Sequence, residues 1–366
     1  MKIWNIILSA LVVLSAAAAA VGICYGLRAN QEINSLRYEF EHMDDTKEND
    51  VVIGDFYTIK ATTAISDAYK AGKTDQLDAN QKKTLEEAKE VLDEIIKDGM
   101  TPFEQEKAVY EWMTKNIKAD SEVTTLIQES PQDRAEPGKV LESKKAVCVG
   151  FATTFRLFME MLDIPCKVVH DTGRSHSWDL VQLDGNWYHT DIYSDSGTPS
   201  YSYFNRNDAM MSDNSWDTSF YPAATSLDYN VAYMERQKLD DIYEIPVKVY
   251  KALKNKKSLV SFEFKKLNKR EKAVVDELGS QIQYVLNAKK KYENYTVSTT
   301  QHETESGVLV WCSMYEIEPE EEEYPSINKK EAKAIEKAIK KAFGKDTVVD
   351  VYFEGEDESG NTETEG

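Results

Sequence analysis

Residues 145–191 read KAVCVGFATTFRLFMEMLDIPCKVVHDTGRSHSWDLVQLDGNWYHTD, and the fold turns on how this stretch divides into elements. Apolar side chains fall at Val147, Phe151, Phe155, Phe158 and Leu162, the spacing of a buried helical stripe. Ile164-Pro165 ends it, since the residue before a proline is pushed out of the α region. Cys148 therefore lies at the start of that helix. Orphan N–H groups and the positive end of the helix dipole favour a thiolate there and suit an oxyanion. Gly150 leaves room for a substrate backbone to come close.

The second half reads as a hairpin. Residues 177–183 and 186–192 alternate as two strands joined by Asp184-Gly185, the dipeptide of a two-residue type I′ turn. With that turn Leu183 pairs with Asn186, and the numbers of paired residues sum to 369. Trp178 then opposes Asp191 and His176 opposes Tyr193. His176 and Asp191 become diagonal neighbours on one face, roughly 7–8 Å apart at the backbone. A carboxylate that fixes one imidazole tautomer while the other nitrogen faces a thiol makes a Cys-His-Asp triad: Cys148, His176, Asp191. His189 shares the hairpin face but sits nearer the turn and is the weaker base. His170 reads as an ordinary polar residue, and His42 and His302 lie in unrelated segments.

The blocks AVCVGFA, SHSWDLVQLDGNWYHTD and YFNRNDAMMSDNSWD together resemble the transglutaminase-like superfamily, in the form found in bacterial surface proteins. Members carry a Cys followed by a small residue and an aromatic, a His-x-Trp strand, and a Gly-x-Trp strand ending in Asp. The resemblance extends over about residues 100–216 and implies Cys148 as nucleophile, His176 as base and Asp191 as its orienter. Asp179 stands where the family often has Asn, and Tyr193 where Trp is common, so substrate contacts do not carry over. The implied fold is α+β: a papain/transglutaminase-like core with a helical lobe packed on an antiparallel sheet. The implied activity is thiol acyl transfer on protein or peptide amides, cell-wall peptides among them. Hydrolysis and crosslinking share this triad. The alternative is a non-catalytic peptide-binding or scaffold module at the cell surface.

The 366-residue chain carries a formal charge of −20, which argues against nucleic acid as a partner because no basic stripe offsets phosphate repulsion. Residues 3–26 are apolar and Ala-rich, long enough for the ~20 residues a bilayer span needs. An uncleaved anchor within 1–28 places the rest outside the cytoplasm on a single-pass cell-membrane protein. A cleaved signal peptide makes the chain secreted. Residues 29–52 form a polar juxtamembrane linker, and 53–235 the catalytic domain. Within it, 56–71 and 77–97 read as amphipathic helices. Thr101-Pro102-Phe103-Glu104 is a capping box that opens a helix burying Trp112, and 120–139 reads as a long surface loop. Tyr201, Tyr203, Phe204, Trp216 and Tyr221 either line a peptide groove or cover the sheet.

Residues 240–354 read as strand, helix, two strands, helix and strand. This βαββαβ order is that of a ferredoxin-like accessory domain, and the acidic tail 355–366 follows it. No C-x-x-C, zinc spacing, EF-hand or phosphate loop is present, so no cofactor or metal is expected. Cys166 and Cys312 read as small buried hydrophobes. If any disulfide forms, it joins those two, because a bridge to Cys148 silences the nucleophile.

Overall fold

A computed structural model describes residues 50–53, 57–120, 134–171, 176–198, 200–292 and 294–316, with helical positions at 330, 333–335, 337, 340 and 341. The chain clusters into two compact units, 1–317 and 318–366. In the second unit the helical positions fall where a helix carrying Ile335 was expected, and Ile335 is exposed. The acidic run at 318–323, the strand at 348–353 and the tail 355–366 lie outside the described residues. So does the apolar stretch 3–26. Among the described residues no helix is long and apolar enough to cross a membrane.

The first unit opens with a short antiparallel ribbon, β1 (Val51–Ile53) and β2 (Tyr57–Ile59). A helix expected from 56 begins instead at Thr63, because β-branched Thr58 and Ile59 join the ribbon. Helices α1 (Thr63–Ala71), α2 (Ala79–Ile95) and α3 (Pro102–Asn116) follow. Thr101 accepts from the Glu104 amide, the Glu104 carboxylate accepts in return from Thr101, and Pro102 takes the first turn, where a missing N–H costs nothing. Trp112 is half-buried and meets Phe158 edge-on, with ring centroids 6.1 Å apart.

Most of the expected loop 120–139 lies outside the described residues, but its end is a correction. Pro137 does not sit in a loop; it starts helix α4 (Pro137–Ser143), again at the position proline tolerates best. Two-residue strands β3 (Lys118–Ala119) and β4 (Lys145–Ala146) pair in parallel and deliver the chain to α5 (Cys148–Met161). This helix is almost wholly buried, as the central element of a globular core must be, and two of its polar side chains are partnered: Arg156 donates to the Lys60 carbonyl and Thr153 to the Ala135 carbonyl. Strands β5 (Cys166–Asp171), β6 (His176–Leu183) and β7 (Asn186–Thr190) form an antiparallel sheet packed on it.

The hairpin has the anticipated register. Leu183 pairs with Asn186 and Asp179 with Thr190, and Asp184 and Gly185 both hold positive φ (46° and 81°), the requirement of a type I′ turn. One face of the sheet carries Val181, Leu183 and Tyr188 into the main core. The other carries Trp178 and Leu180 into a second cluster with Met211 and Tyr221.

After loops and short helices, including α6 (Val231–Met234), a four-stranded sheet forms from β8 (Gln237–Lys238), β9 (Leu259–Phe264), β10 (Tyr295–Thr304) and β11 (Gly307–Glu316), in the order β10-β11-β9-β8. Helices α7 (Ile245–Lys254) and α8 (Lys269–Asn287) precede β9 and β10. The strand–helix–strand–strand half of the expected βαββαβ order is present, with β11 inserted between β9 and β10. The edge of β9 is occupied at Phe262 and Glu263 by the parallel β8, a partner not anticipated. Alternation splits this sheet between two cores. Leu259, Leu309 and Trp311 face the helical lobe, while Val260, Phe262, Val310 and Cys312 face α7 and α8.

Candidate active site

Three elements converge at one end of the small sheet. Cys148 is the first residue of α5, preceded by Val147, whose N–H is tied to the Arg134 carbonyl at 3.1 Å. His176 is the first residue of β6. Asp191 follows β7 directly, where the ladder to β6 has ended and its N–H bonds to the Tyr203 carbonyl at 2.9 Å. The strand has peeled away, yet the expected diagonal contact is made: His176 Nε2 lies 2.7 Å from Asp191 Oδ2. The imidazole also hydrogen-bonds the Cys148 side chain, and Nδ1 is the ring nitrogen left for the sulfur. Cys148, His176 and Asp191 form one continuous chain of contacts.

The electrostatics are consistent with that chain. Burial disfavours an imidazolium, but hydrogen bonds to Asp191 and Cys148, and their negative charge, outweigh it and push His176 up to about 10. The carboxylate is held by more than the imidazole. Ser194 donates its backbone N–H to Oδ1 at 3.1 Å and its hydroxyl to Oδ2 at 2.7 Å, leaving Asp191 2% exposed. Ser194 was absent from the sequence argument. Asp side chains often accept from nearby backbone N–H groups, and here the local bonds from Ser194 orient the carboxylate. Trp178 and Tyr193 flank the ring, with centroids 5.9 Å and 5.7 Å from that of His176.

Gly150 has a different role from the one expected. A Cβ there would lie 2.0 Å from the Arg134 carbonyl oxygen, so the close approach is made by the chain's own backbone, not by a substrate. The same segment is clamped again by Thr153, whose hydroxyl donates to the Ala135 carbonyl at 2.9 Å, and by the Arg134–Asp120 ion pair at 2.8 Å. These contacts fix the chain beside the start of α5.

His189 forms a second imidazole–carboxylate pair on the same face, fully buried. Its Nε2 lies 2.9 Å from Asp208 Oδ1, and its Nδ1 accepts the Trp178 indole N–H at 2.8 Å. Burial lowers its pKa despite Asp208. Having to accept at Nδ1, this ring is neutral with its proton on Nε2. His170 pairs with the Ser177 hydroxyl at 2.8 Å and burial lowers it to about 4, and His302 lies on β10. Neither joins the site.

Asp179, expected where relatives often have Asn, is 1% exposed and lies 3.5 Å from the Cys166 sulfur, inside the core; burial raises its pKa well above the carboxylate range. Cys148, Cys166 and Cys312 form no disulfide. Cys312 packs in the core of the larger sheet, pushed up to about 11 by burial. Phe204 and Tyr221 are buried, so these two cover the sheet. Among the described residues no group of three or more His, Cys, Asp or Glu could hold a metal ion.

Residues 89–192 match the family described as the Transglutaminase-like superfamily, a span that contains Cys148, His176 and Asp191. This part of the chain is a transglutaminase-like domain. Human Kyphoscoliosis peptidase (Homo sapiens) is 27% identical over 128 residues, covering 30% of this chain and 19% of that protein. The mouse protein of the same name (Mus musculus) is 25% identical over 122 residues, covering 30% and 18%. This chain thus spans about a fifth of the length of the curated relatives it matches. A crystal structure of a TGase aligns over 34% of this chain and 36% of its own, at 20% identity and a TM-score of 0.26.

Proposed function

We propose that the chain is a thiol acyl-transfer enzyme acting on protein or peptide amides through Cys148, His176 and Asp191. The observation that carries this is the His176 imidazole, bonded on one side to a buried, doubly donated carboxylate and on the other to the Cys148 side chain. In the reaction, His176 holds the proton taken from the Cys148 thiol, and the sulfur attacks the carbonyl carbon as a thiolate. The Cys148 backbone N–H, at the start of α5, donates to the developing oxyanion. Collapse breaks the C–N bond, the imidazolium returns its proton to the leaving amine or ammonia, and a thioester remains. Attack by water frees a carboxylic acid; attack by a lysine amine makes a crosslink. Asp191 keeps His176 in one orientation and stabilises its charged form throughout. The curated relatives are peptidases by name, which makes peptide hydrolysis the first outcome to assay. Export through residues 3–26, with the catalytic domain tethered outside the membrane, belongs to the same proposal.

Trapping settles the chemistry. A peptide library incubated with the protein should leave an acyl group on Cys148, identified by its mass and absent from Cys148→Ser. Selective alkylation of Cys148 over Cys166 and Cys312 near neutral pH should accompany it. Equal, slow labelling of all three thiols, with no acyl adduct, would leave only a binding module.

A further inference from the structure

The net charge of −20 conceals a local reversal: residues 245–291 hold thirteen Lys or Arg against four Asp or Glu. The expectation of a chain without a basic stripe is therefore corrected. Neither Ile245–Lys254 nor residues 278–292 contain an acidic residue. The reversal coincides with a break in apolar burial. Of the seven large hydrophobic residues most exposed among the described ones, five lie on or just before these helices: Tyr243, Val247, Tyr250, Tyr284 and Val285. Val247 and Tyr284 are each 71% exposed.

The two features share one surface. On α7, Ile245, Val249, Ala252 and Leu253 face the sheet, which leaves Val247, Tyr250, Lys251 and Lys254 along the outer stripe at helical spacing. On α8, Leu278, Ile282 and Val285 line the facing side, with Lys289 just beyond its C-terminal end. Between the helices lies an apolar groove of about 360 Å³, lined by Pro246, Tyr250 and Leu253 on one side and by Leu278, Ile282 and Val285 on the other. Lysines gather around it. Lys289 lines the groove; Lys254 Nζ sits 4.9 Å from the Tyr250 ring centre; Lys291 Nζ sits 5.2 Å from Tyr292, which meets Tyr250 edge-on at 6.4 Å. Among the described residues no carboxylate lies in ion-pair contact with Lys251, Lys254, Lys289 or Lys291.

We propose that this face of α7 and α8 docks on an anionic lipid bilayer. Aliphatic side chains projecting from a basic surface with tyrosines among them match a headgroup boundary, where the apolar groups enter and the ammonium groups stay with phosphates. A nucleic acid would use the lysines and the tyrosine rings but would gain nothing from Val247, Val285 and the aliphatic groove. Beyond residues 3–26, the rest of the chain is more acidic than the whole and is repelled by such a membrane, which favours approach by this face. The inference is independent of the thiol chemistry.

The test uses the full chain, in a Cys148→Ser background, with an environment-sensitive fluorophore on Val247→Cys or, as a remote control, on Glu86→Cys. Signal from the Cys148→Ser parent is subtracted. Vesicles are phosphatidylcholine alone or with about 30% phosphatidylglycerol, so that any anchoring by residues 3–26 is common to both. At position 247 emission should shift to the blue only on the anionic vesicles, and about 0.5 M salt should reverse it. Lys251→Glu/Lys254→Glu/Lys289→Glu should abolish the shift, the corresponding triple Arg variant should keep it, and the label at 86 should report no change. The proposal fails if position 247 behaves alike on both vesicles or is blue-shifted before vesicles are added. It also fails if the triple Glu variant still responds, or if a soluble oligonucleotide or polyglutamate gives the shift and vesicles do not.

Discussion

Two imidazoles face two carboxylates on one hairpin, His176 with Asp191 at 2.7 Å and His189 with Asp208 at 2.9 Å, and their pKa values move in opposite directions. His176 keeps 18% of its side chain exposed, has a carboxylate buttressed by Ser194, and meets a thiol at its second nitrogen. His189 is fully buried, faces a carboxylate that is itself 35% exposed, and meets an indole donor at its second nitrogen. A donor at the second nitrogen demands a neutral ring, while a thiolate there rewards a charged one. Proximity of Asp to His does not make a base. What faces the other nitrogen decides.

The comparison can be broken most directly by His176→Ala, which should cut acyl-enzyme formation at Cys148 by about 10³-fold or more; a variant that keeps wild-type rates would remove His176 from the mechanism. Asp191→Asn should cost about 10²- to 10⁴-fold in the same assay. It should also move the rate's basic limb downward, because His176 loses the partner that holds it near 10 while burial still pulls the other way.

A buried carboxyl without an imidazole sharpens the burial half of the argument. Glu106, on α3, accepts from the Asn205 amide at 2.9 Å and the Thr190 hydroxyl at 3.3 Å, and burial pushes it up to about 8 against those two bonds. A carboxyl raised in the folded state contributes stability that is complete below its unfolded value near 4.5 and is lost as pH rises through about 8. Glu106→Gln should therefore flatten the fall in melting stability across that window, where each unit is worth about 1.4 kcal/mol; an unchanged slope would refute it.

The smallest effect belongs to the second pair. Asp208→Asn removes the charge opposite His189, and should cost about 1–2 kcal/mol of stability by urea denaturation. It should lower acyl transfer by at most about tenfold, through Trp178 and its stack on His176. A loss as large as that of Asp191→Asn would mean the two pairs act as one unit.

The sequence alone determined the helix at Cys148, the type I′ turn at Asp184-Gly185 and, through a two-residue turn that permits one register, the juxtaposition of His176 with Asp191. These rest on local periodicity and short-range backbone geometry, which neighbouring residues encode. Tertiary structure alone decided the Ser194 brace, the role of Gly150 against the Arg134 carbonyl, the neutral state of His189 and the gathering of lysines around an open apolar groove. Each depends on which groups distant in the chain meet, and on how much water is left between them. Burial and partners set charge states, and spacing along a chain does not record either.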